Sequence, residues 1–539
     1  NDDNVVEYGS DSINVVYGNT DDETAISLTN RNPGDQAEVH LTITDPALNI
    51  DPTTADIWKF SLASTAAAPA VIFANNGTNS ALVASELGEH GCLDNCRLSS
   101  NVQTNLIAAD YALTAVTMTE SGANTGVFES FDTNGSASFT TIPEAAADGQ
   151  VIFSYGGNSV DQVITYNDAT ITMDAGGDWA PGQSATITVV DPEANRNPTS
   201  AETLNAYDET VVIPTIVMGT GGLTLAGGQN TELQKGDSNV ANAVSSGVNV
   251  GSTDGGMVHT LAIQNTTDHS ERLRIIHSAG DLTTSTVTWL NVTTGHTRAD
   301  LLALAGTTVL NYDIRGLADI LSTTGIDVYI TDSGSNTTNN AAGKILLDGD
   351  GSGTGGNAKS GSLDLDDGST YWITSGDIHA AQTFSSVGTA GTSFVSVAFK
   401  LTHAAATTTA QTSDYAISAD FCNFDQNNGS LTHNCIYRLE AVETGDNTGV
   451  FEGTVEYINL TNSTANGTIS GEHDGGDQEV EGLLGYIRGD ALSVVLMDSV
   501  SGSDSVRVVY NDTDAFQVAT KIGAQLETST HTADIDLDA

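Results

Sequence analysis

The stretch Glu120–Ser130 reads ESGANTGVFES, and Glu443–Gly453 reads ETGDNTGVFEG, so that eight of eleven positions coincide. The Asn-Thr-Gly core supplies a turn in which Gly126 takes a positive φ without steric cost. Val127 and Phe128 then enter a strand, one of them anchoring a core. Glu120 and Glu129 flank the turn centre symmetrically, as do Glu443 and Glu452. A symmetric hairpin register sets each pair of like charges directly across two strands, which is unfavourable unless a cation bridges them or a Glu is held protonated. A slipped register that turns both carboxylates to water is the alternative.

Working outward from the turn, other segments recur in the same order. PGDQAEVHLTITDPALNIDP begins at Pro33 and PGQSATITVVDPEANRNP at Pro181. SDSINVVYGNTD at Ser10, SVDQVITYNDAT at Ser159 and SDSVRVVYNDTD at Ser503 read as closing strands. Repetition with this spacing predicts tandem modules, each with its own core. Short β-branched runs between Gly, Asn and Pro turns suit Ig-like sandwiches.

The expected division has six parts. Residues 1–21 hold the closing strand of a preceding repeat, and 22–168 form the first Ig-like unit. Residues 169–218 and 386–512 are two parts of a second unit, and 219–385 are an inserted small α+β domain. Residues 513–539 begin a following repeat or form a tail, a phase that suggests a longer gene product. Within the insertion, Thr297 and Asp300 fit a capping box, Gly306 fits a helix stop, and GLADILS predicts a second short helix. GDGSGTGG at Gly349–Gly356 reads as a flexible return linker.

Sixty-nine Asp and Glu face 16 Lys and Arg, a formal net charge of −53. Nucleic acid is therefore excluded as a partner, because phosphate contacts need clustered Lys and Arg. Cations are the natural partners. Abundant Gly, Ser, Thr, Asn and Asp disfavour long helices, and runs such as ATITVV and SVRVVY argue for a mainly β chain. No apolar stretch reaches the length of a membrane-spanning helix, so membrane attachment is expected only through segments outside this sequence. No GxSxG, HExxH, Walker A or dinucleotide fingerprint points to catalysis.

Cysteines fall in two local pairs, Cys92 with Cys96 and Cys422 with Cys435. Even count and close spacing favour disulfides in an extracellular protein. The H-x-C spacing of His90 with Cys92 and His433 with Cys435 keeps a metal as the alternative. Asn-x-Ser/Thr sequons stand at Asn76, Asn134, Asn265, Asn291, Asn336, Asn428, Asn459, Asn462, Asn466 and Asn511, which suits a glycosylated surface.

Asp45, Asn49 and Asp51 in DPALNIDP, with Asp191, Glu193 and Asn195 in DPEANRNP, offer hard oxygen ligands suited to Ca2+. Asp-Pro and Asn-Pro also initiate turns unaided, which accounts for both loops without metal. The EF-hand-like run from Asp348 puts Lys359 where a bidentate Glu is required, so it reads as linker. EHDGGDQE at Glu472–Glu479 reads as a solvated acidic loop.

The DP-x-x-N loops, the ETGDNTGVFEG turn and the segment LLALAGTTVLNYDIRGL together resemble the surface-layer proteins of ammonia-oxidising archaea. That resemblance implies a secreted, glycosylated, Ig-like array that tiles the cell as a two-dimensional lattice of copies of itself. It gives the acidity a reading, since an anionic porous sheet draws in cations, ammonium included. An adhesin or filament stalk built from the same sandwiches is the competing expectation.

Overall fold

In a computed structural model the chain is mainly β, with short helical segments. The structure describes residues 4–15, 21–60, 71–75, 78–82, 98–100, 116–131, 136–143, 145–177, 179, 183–225, 231–235, 258–265, 272–276, 287–304, 307–332, 345–346, 360–364, 373–374, 394–403, 415–425, 432–462, 469–471, 492–497, 502–512 and 520–530. Three hydrophobic cores organise them.

In the first unit one sheet has the spatial order Ala25–Leu28, Leu41–Thr44, Val127–Glu129, Val116–Glu120, Ile57–Phe60, Val71–Asn75, Thr78–Leu82. A second sheet orders Asn158–Val163, Gln150–Tyr155 and Ser99–Ser100. Alternation along each strand sends one face inward; Val116–Glu120, for example, buries every second residue. Ile43, Phe60, Met118 and Phe128 from the first sheet share a core with Phe153 and Tyr155 from the second.

The second unit repeats this plan. Thr170–Asp174, Ser184–Val190, Val450–Asn462, Ala441–Glu443 and Thr203–Leu204 occupy the same five-strand order. Its facing sheet contains the hairpin Gly502–Asp512 with Thr520–Thr530, whose first strand pairs with Thr215–Met218. The strand Thr520–Thr530 pairs with Gly502–Asp512 along its whole length, and so closes the second unit. For residues 520–530 that corrects the reading of 513–539 as a following repeat or a tail; 513–519 and 531–539 lie outside the described residues. The repeat phase shifts accordingly: Tyr510 occupies the place of Tyr155, not of Tyr166.

The insertion is larger than 219–385. Its core runs from Leu225 to Phe421 and includes Val397, Phe399, Leu401 and Ile417. Phe394–His403 pairs with Val287–Thr297 and Thr323–Asp332, and Tyr415–Asp425 with Arg272–Ile276 and Thr307–Asp313. Unit two resumes at Cys422 and Cys435, which belong to its core. Alternation in FVSVAFKLTH identifies a strand but not the sheet that receives it, which is why the expected boundary falls short. Two short helices, α1 (Arg298–Leu302) and α2 (Arg315–Ile320), stand where the sequence predicts them. The Thr297–Asp300 capping box is formed in both directions. Gly306, the Gly349–Gly356 linker, the Asp348 loop with Lys359 and the Glu472–Glu479 loop lie outside the described residues.

Three buried or half-buried arginines fasten the insertion to unit two. Arg272, on an insertion strand, donates to the carbonyls of Asn205, Ala206 and Asp208 at 3.0, 3.3 and 2.6 Å, and also to Val211. Burial lowers its guanidinium to about 10. Arg315 of α2 pairs with Asp313 and with Glu440 of unit two, and lies 4.5 Å from the centre of the Tyr207 ring. Arg438 of unit two pairs with Asp420 of the insertion at 2.6 Å, both side chains fully buried. Gly316 lets α2 approach so closely that a Cβ there would meet Tyr207 O at 2.9 Å and Ala416 O at 3.0 Å.

Candidate functional site

The recurring turn is built around its first glutamate. Glu120 Oε1 accepts from the backbone N–H of Thr125 and of Gly126, both at 2.8 Å, and Oε2 accepts from Asp56 N at 3.1 Å. Glu443 repeats this with Thr448 N and Gly449 N at 2.7 Å and Glu202 N at 3.3 Å. A carboxylate thus satisfies two turn amides and one amide of a neighbouring segment, an arrangement about twice as strong as a neutral acceptor gives.

The register is offset by one residue from the symmetric one. Phe128 lies opposite Glu120 and Glu129 opposite Thr119, while Phe451 faces Glu443 and Glu452 faces Val442. Because side chains alternate, the first glutamate of each pair turns inward and the second outward. Glu120 and Glu443 are buried, Glu129 is half-buried and Glu452 exposed. Burial pushes the Glu129 carboxyl up, opposed by His40. The geometry that would require a bridging cation at Glu120/Glu129 and Glu443/Glu452 is therefore not present.

Each turn docks on the Asp-Pro loop of its own unit. Asp45 N donates to Gly126 O and Asp191 N to Gly449 O, both at 2.8 Å. Gly126 and Gly449 have φ of +63° and +61°, and a Cβ at Gly449 would lie 2.8 Å from Pro192 Cα. Asn49 donates to Asn124 Oδ1 at 2.6 Å, and Asn195 to Asn447 Oδ1 at 2.7 Å.

The aspartates themselves are occupied. Asp45 Oδ1 caps a one-turn 3-10 helix at Ala47 N, and its Oδ2 accepts from the Tyr155 hydroxyl at 2.6 Å. Asp191 caps Glu193 N and Ala194 N, and accepts from the Tyr510 hydroxyl at 2.6 Å. Asp51 holds Thr53 N at 2.9 Å in an exposed turn, and the Thr53 bonds lower its carboxyl. The turn-forming account of both loops thus covers the aspartates offered as calcium ligands, whereas Asn49 Oδ1, Asn195 Oδ1 and Glu193 Oε2 are buried without a hydrogen-bond partner among the described residues. Among the described residues, the only three His, Cys, Asp or Glu groups close enough for one ion are Asp420, Cys422 and Cys435. That trio does not suit calcium: the two sulfurs are joined as a disulfide and Asp420 serves Arg438.

The Cys422–Cys435 bridge ties two neighbouring strands where the chain returns from the insertion, and Asn311 donates to both sulfurs at 2.6 and 3.2 Å. Cys92 and Cys96 lie outside the described residues. So do the sequons Asn76, Asn134, Asn336, Asn428 and Asn466. Asn265, Asn459 and Asn462 stand on strands. Asn291 and Asn511 are buried strand residues at 1 % and 2 % exposure, so in the folded chain neither amide can carry a glycan.

Several working residues escape sequence reasoning. Asp56 and Glu202 occupy equivalent places, Asp56 accepting from Ile50 N and Asp51 N, Glu202 from Asn197 N. Burial and the neighbouring Glu443 raise the Glu202 carboxyl to about 8. A carboxyl raised in the fold keeps its proton longer than in the unfolded chain. Its stabilising contribution is complete below the unfolded value, about 4.3, and is lost as the pH climbs to about 8. Glu202→Gln retains the acceptor and supplies a permanent donor toward Glu443. The variant's melting temperature, relative to the unsubstituted chain, is expected to rise steadily between pH 5 and pH 8. Parallel curves would remove the shared proton from the account.

Unit two's Asp-Pro loop also forms the joint with unit one. Glu38 N donates to Arg196 O at 2.7 Å, and Arg196 lies 3.9 Å from Asp35. Glu193 Oε1 accepts from Asn167 N and Nδ2 at 2.8 and 2.9 Å. Its side chain packs on Gly34, where a Cβ would come within 2.9 Å. Burial and nearby Asp191 raise the Glu193 carboxyl to about 7.

No known protein family matches this chain, and no characterised protein is similar to it in sequence.

Proposed function

We propose that the chain is a structural subunit of a secreted, glycosylated surface-layer lattice of the kind found on ammonia-oxidising archaea, assembled from Ig-like sandwiches. The observation that carries this reading is the joint. One unit's Asp-Pro loop seats directly on the preceding unit's Pro-Gly loop, with Gly34 leaving no space at Glu193. Modules held in fixed relation suit a tile better than a flexible tether. The arginine-clamped insertion adds a lateral body for contacts between copies.

The charge of −53 supports a cation-drawing role for such a sheet. A local potential of several kT enriches a monovalent cation such as ammonium about tenfold. Screening confines this to narrow pores, because the Debye length is about 8 Å at physiological salt. Calcium in this reading bridges exposed carboxylates of neighbouring copies, since the loop aspartates are already engaged. Glycans belong on sequons other than Asn291 and Asn511. A second reading, the stalk of an adhesin or filament, draws on the same head-to-tail joint.

Electron microscopy of the purified protein with calcium, and then with chelator, separates the two. Ordered sheets that disperse on chelation are expected; isolated rods under both conditions would replace the lattice with the stalk.

A further inference from the structure

The hairpin Asn4–Tyr8 with Asp11–Val15 pairs with no other described strand. Its register matches that of unit one's closing hairpin. Tyr8 faces Asp11 across a two-residue turn as Tyr155 faces Asn158, and Val6 faces Ile13 as Phe153 faces Val160. In unit one these positions are core: Phe153, Tyr155 and Val160 are 1 %, 1 % and 8 % exposed. In the hairpin Val6, Tyr8 and Ile13 are 59 %, 91 % and 67 % exposed. Four large apolar side chains, Val5 included, lie bare on two short strands.

The environment such a hairpin needs is shown twice in the same chain. Tyr155 ends the first strand of its closing hairpin and Tyr510 stands two residues before the end of its own, and each hydroxyl reaches the aspartate of an Asp-Pro loop at 2.6 Å. Phe153 meets Phe139 edge-on, with centroids 5.8 Å apart, inside that sandwich. A second feature points to the same occupant. Unit two's Asp-Pro loop is seated on a neighbouring sandwich through Arg196, whereas Ile50, at the equivalent position in unit one, is 47 % exposed.

We propose that this hairpin and unit one's Asp-Pro loop together form the docking surface for a further sandwich of this same repeat, one without a closing hairpin of its own. The hairpin completes that sandwich, Val6 and Ile13 enter its core, and the Tyr8 hydroxyl donates to its loop aspartate. Ile50 then seats against its Pro-Gly loop. The two sandwiches in a second copy of the chain already hold their own hairpins, so a second copy is not the occupant.

The test uses the full chain carrying Val6→Cys, alone and with a second copy of residues 22–149 joined directly ahead of Asp3. The parent chains without the substitution correct for other thiols. Maleimide should label the introduced thiol of the unextended chain as a free surface group. In the extended chain labelling should be about a hundredfold slower, as burial behind a local opening requires. In an extended chain that keeps Val6, the amides of residues 5–15 should become slow to exchange. Asp45→Ala in the added copy should restore at least part of the labelling rate. Equal labelling and equal exchange in both chains would overturn the proposal. So would protection of the introduced thiol in the unextended chain that grows with concentration, which would assign the face to pairing between copies.

Discussion

Glu443→Ala is expected to destabilise unit two by about 3–5 kcal/mol, because two backbone donors, one buried at Gly449 and one part-buried at Thr448, lose a charged acceptor worth about 1.5–3 kcal/mol each. The donors are Thr448 N and Gly449 N, and Glu202 N loses its contact as well. The loss should spread to the Asp-Pro loop, since Gly449 O is the acceptor for Asp191 N. Denaturant unfolding followed by hydrogen exchange, peptide by peptide, resolves where the loss falls. Peptides from Thr170–Asp174, Ser184–Val190 and Ala441–Glu443 should open at lower denaturant, with Leu41–Thr44 and Val116–Glu120 unchanged. Glu120→Ala should give the mirror result in unit one. A loss below about 1 kcal/mol in both variants would mean that water replaces the carboxylate and that the turn stands without it.

Asp420→Ala should cost a similar amount, about 3–5 kcal/mol, since it leaves the Arg438 guanidinium buried without its carboxylate. The double variant Asp420→Ala with Arg438→Met should recover most of that loss, because desolvating the pair offsets much of its attraction. The pair joins the insertion to unit two beside the disulfide, so the single variant should loosen that junction ahead of either core. Protection of Tyr415–Asp425 and Thr432–Arg438 by hydrogen exchange reads the junction directly. If the single and double variants lose the same stability, the ion pair does not hold the junction.

These two sites differ in how far sequence reaches them. The turn, its glycine and the phenylalanine anchor are legible because each obeys a local rule: positive φ at Gly126, then alternation into the core at Phe128. The role of the glutamates is not. The offset register is set by the turn's backbone geometry, and it converts a symmetric acidic pair into one buried acceptor and one outward-facing carboxylate. The Asp-Pro loops are legible as turns. Their tyrosine partners lie over a hundred residues away, and two tyrosines in unit one's closing segment, Tyr155 and Tyr166, compete for that place. In the insertion, the capping box at Thr297 is local and stands in the sequence. The boundary does not, because strand alternation is the same whichever sheet receives it. The arginines elude reading for a related reason: Arg272 and Arg315 find partners that lie distant in sequence, Arg272 mainly on carbonyls that carry no side-chain signature.

The central claim is that the repeated turn is held by its own backbone amides and not by an ion. Hydrogen exchange of Thr125, Gly126, Thr448 and Gly449 in the intact chain tests it, with calcium present and then with excess chelator. Equal, slow exchange in both conditions is predicted, even if chelation disperses assembled sheets. Loss of protection at these four amides on chelation would contradict the account and return a metal to the turn.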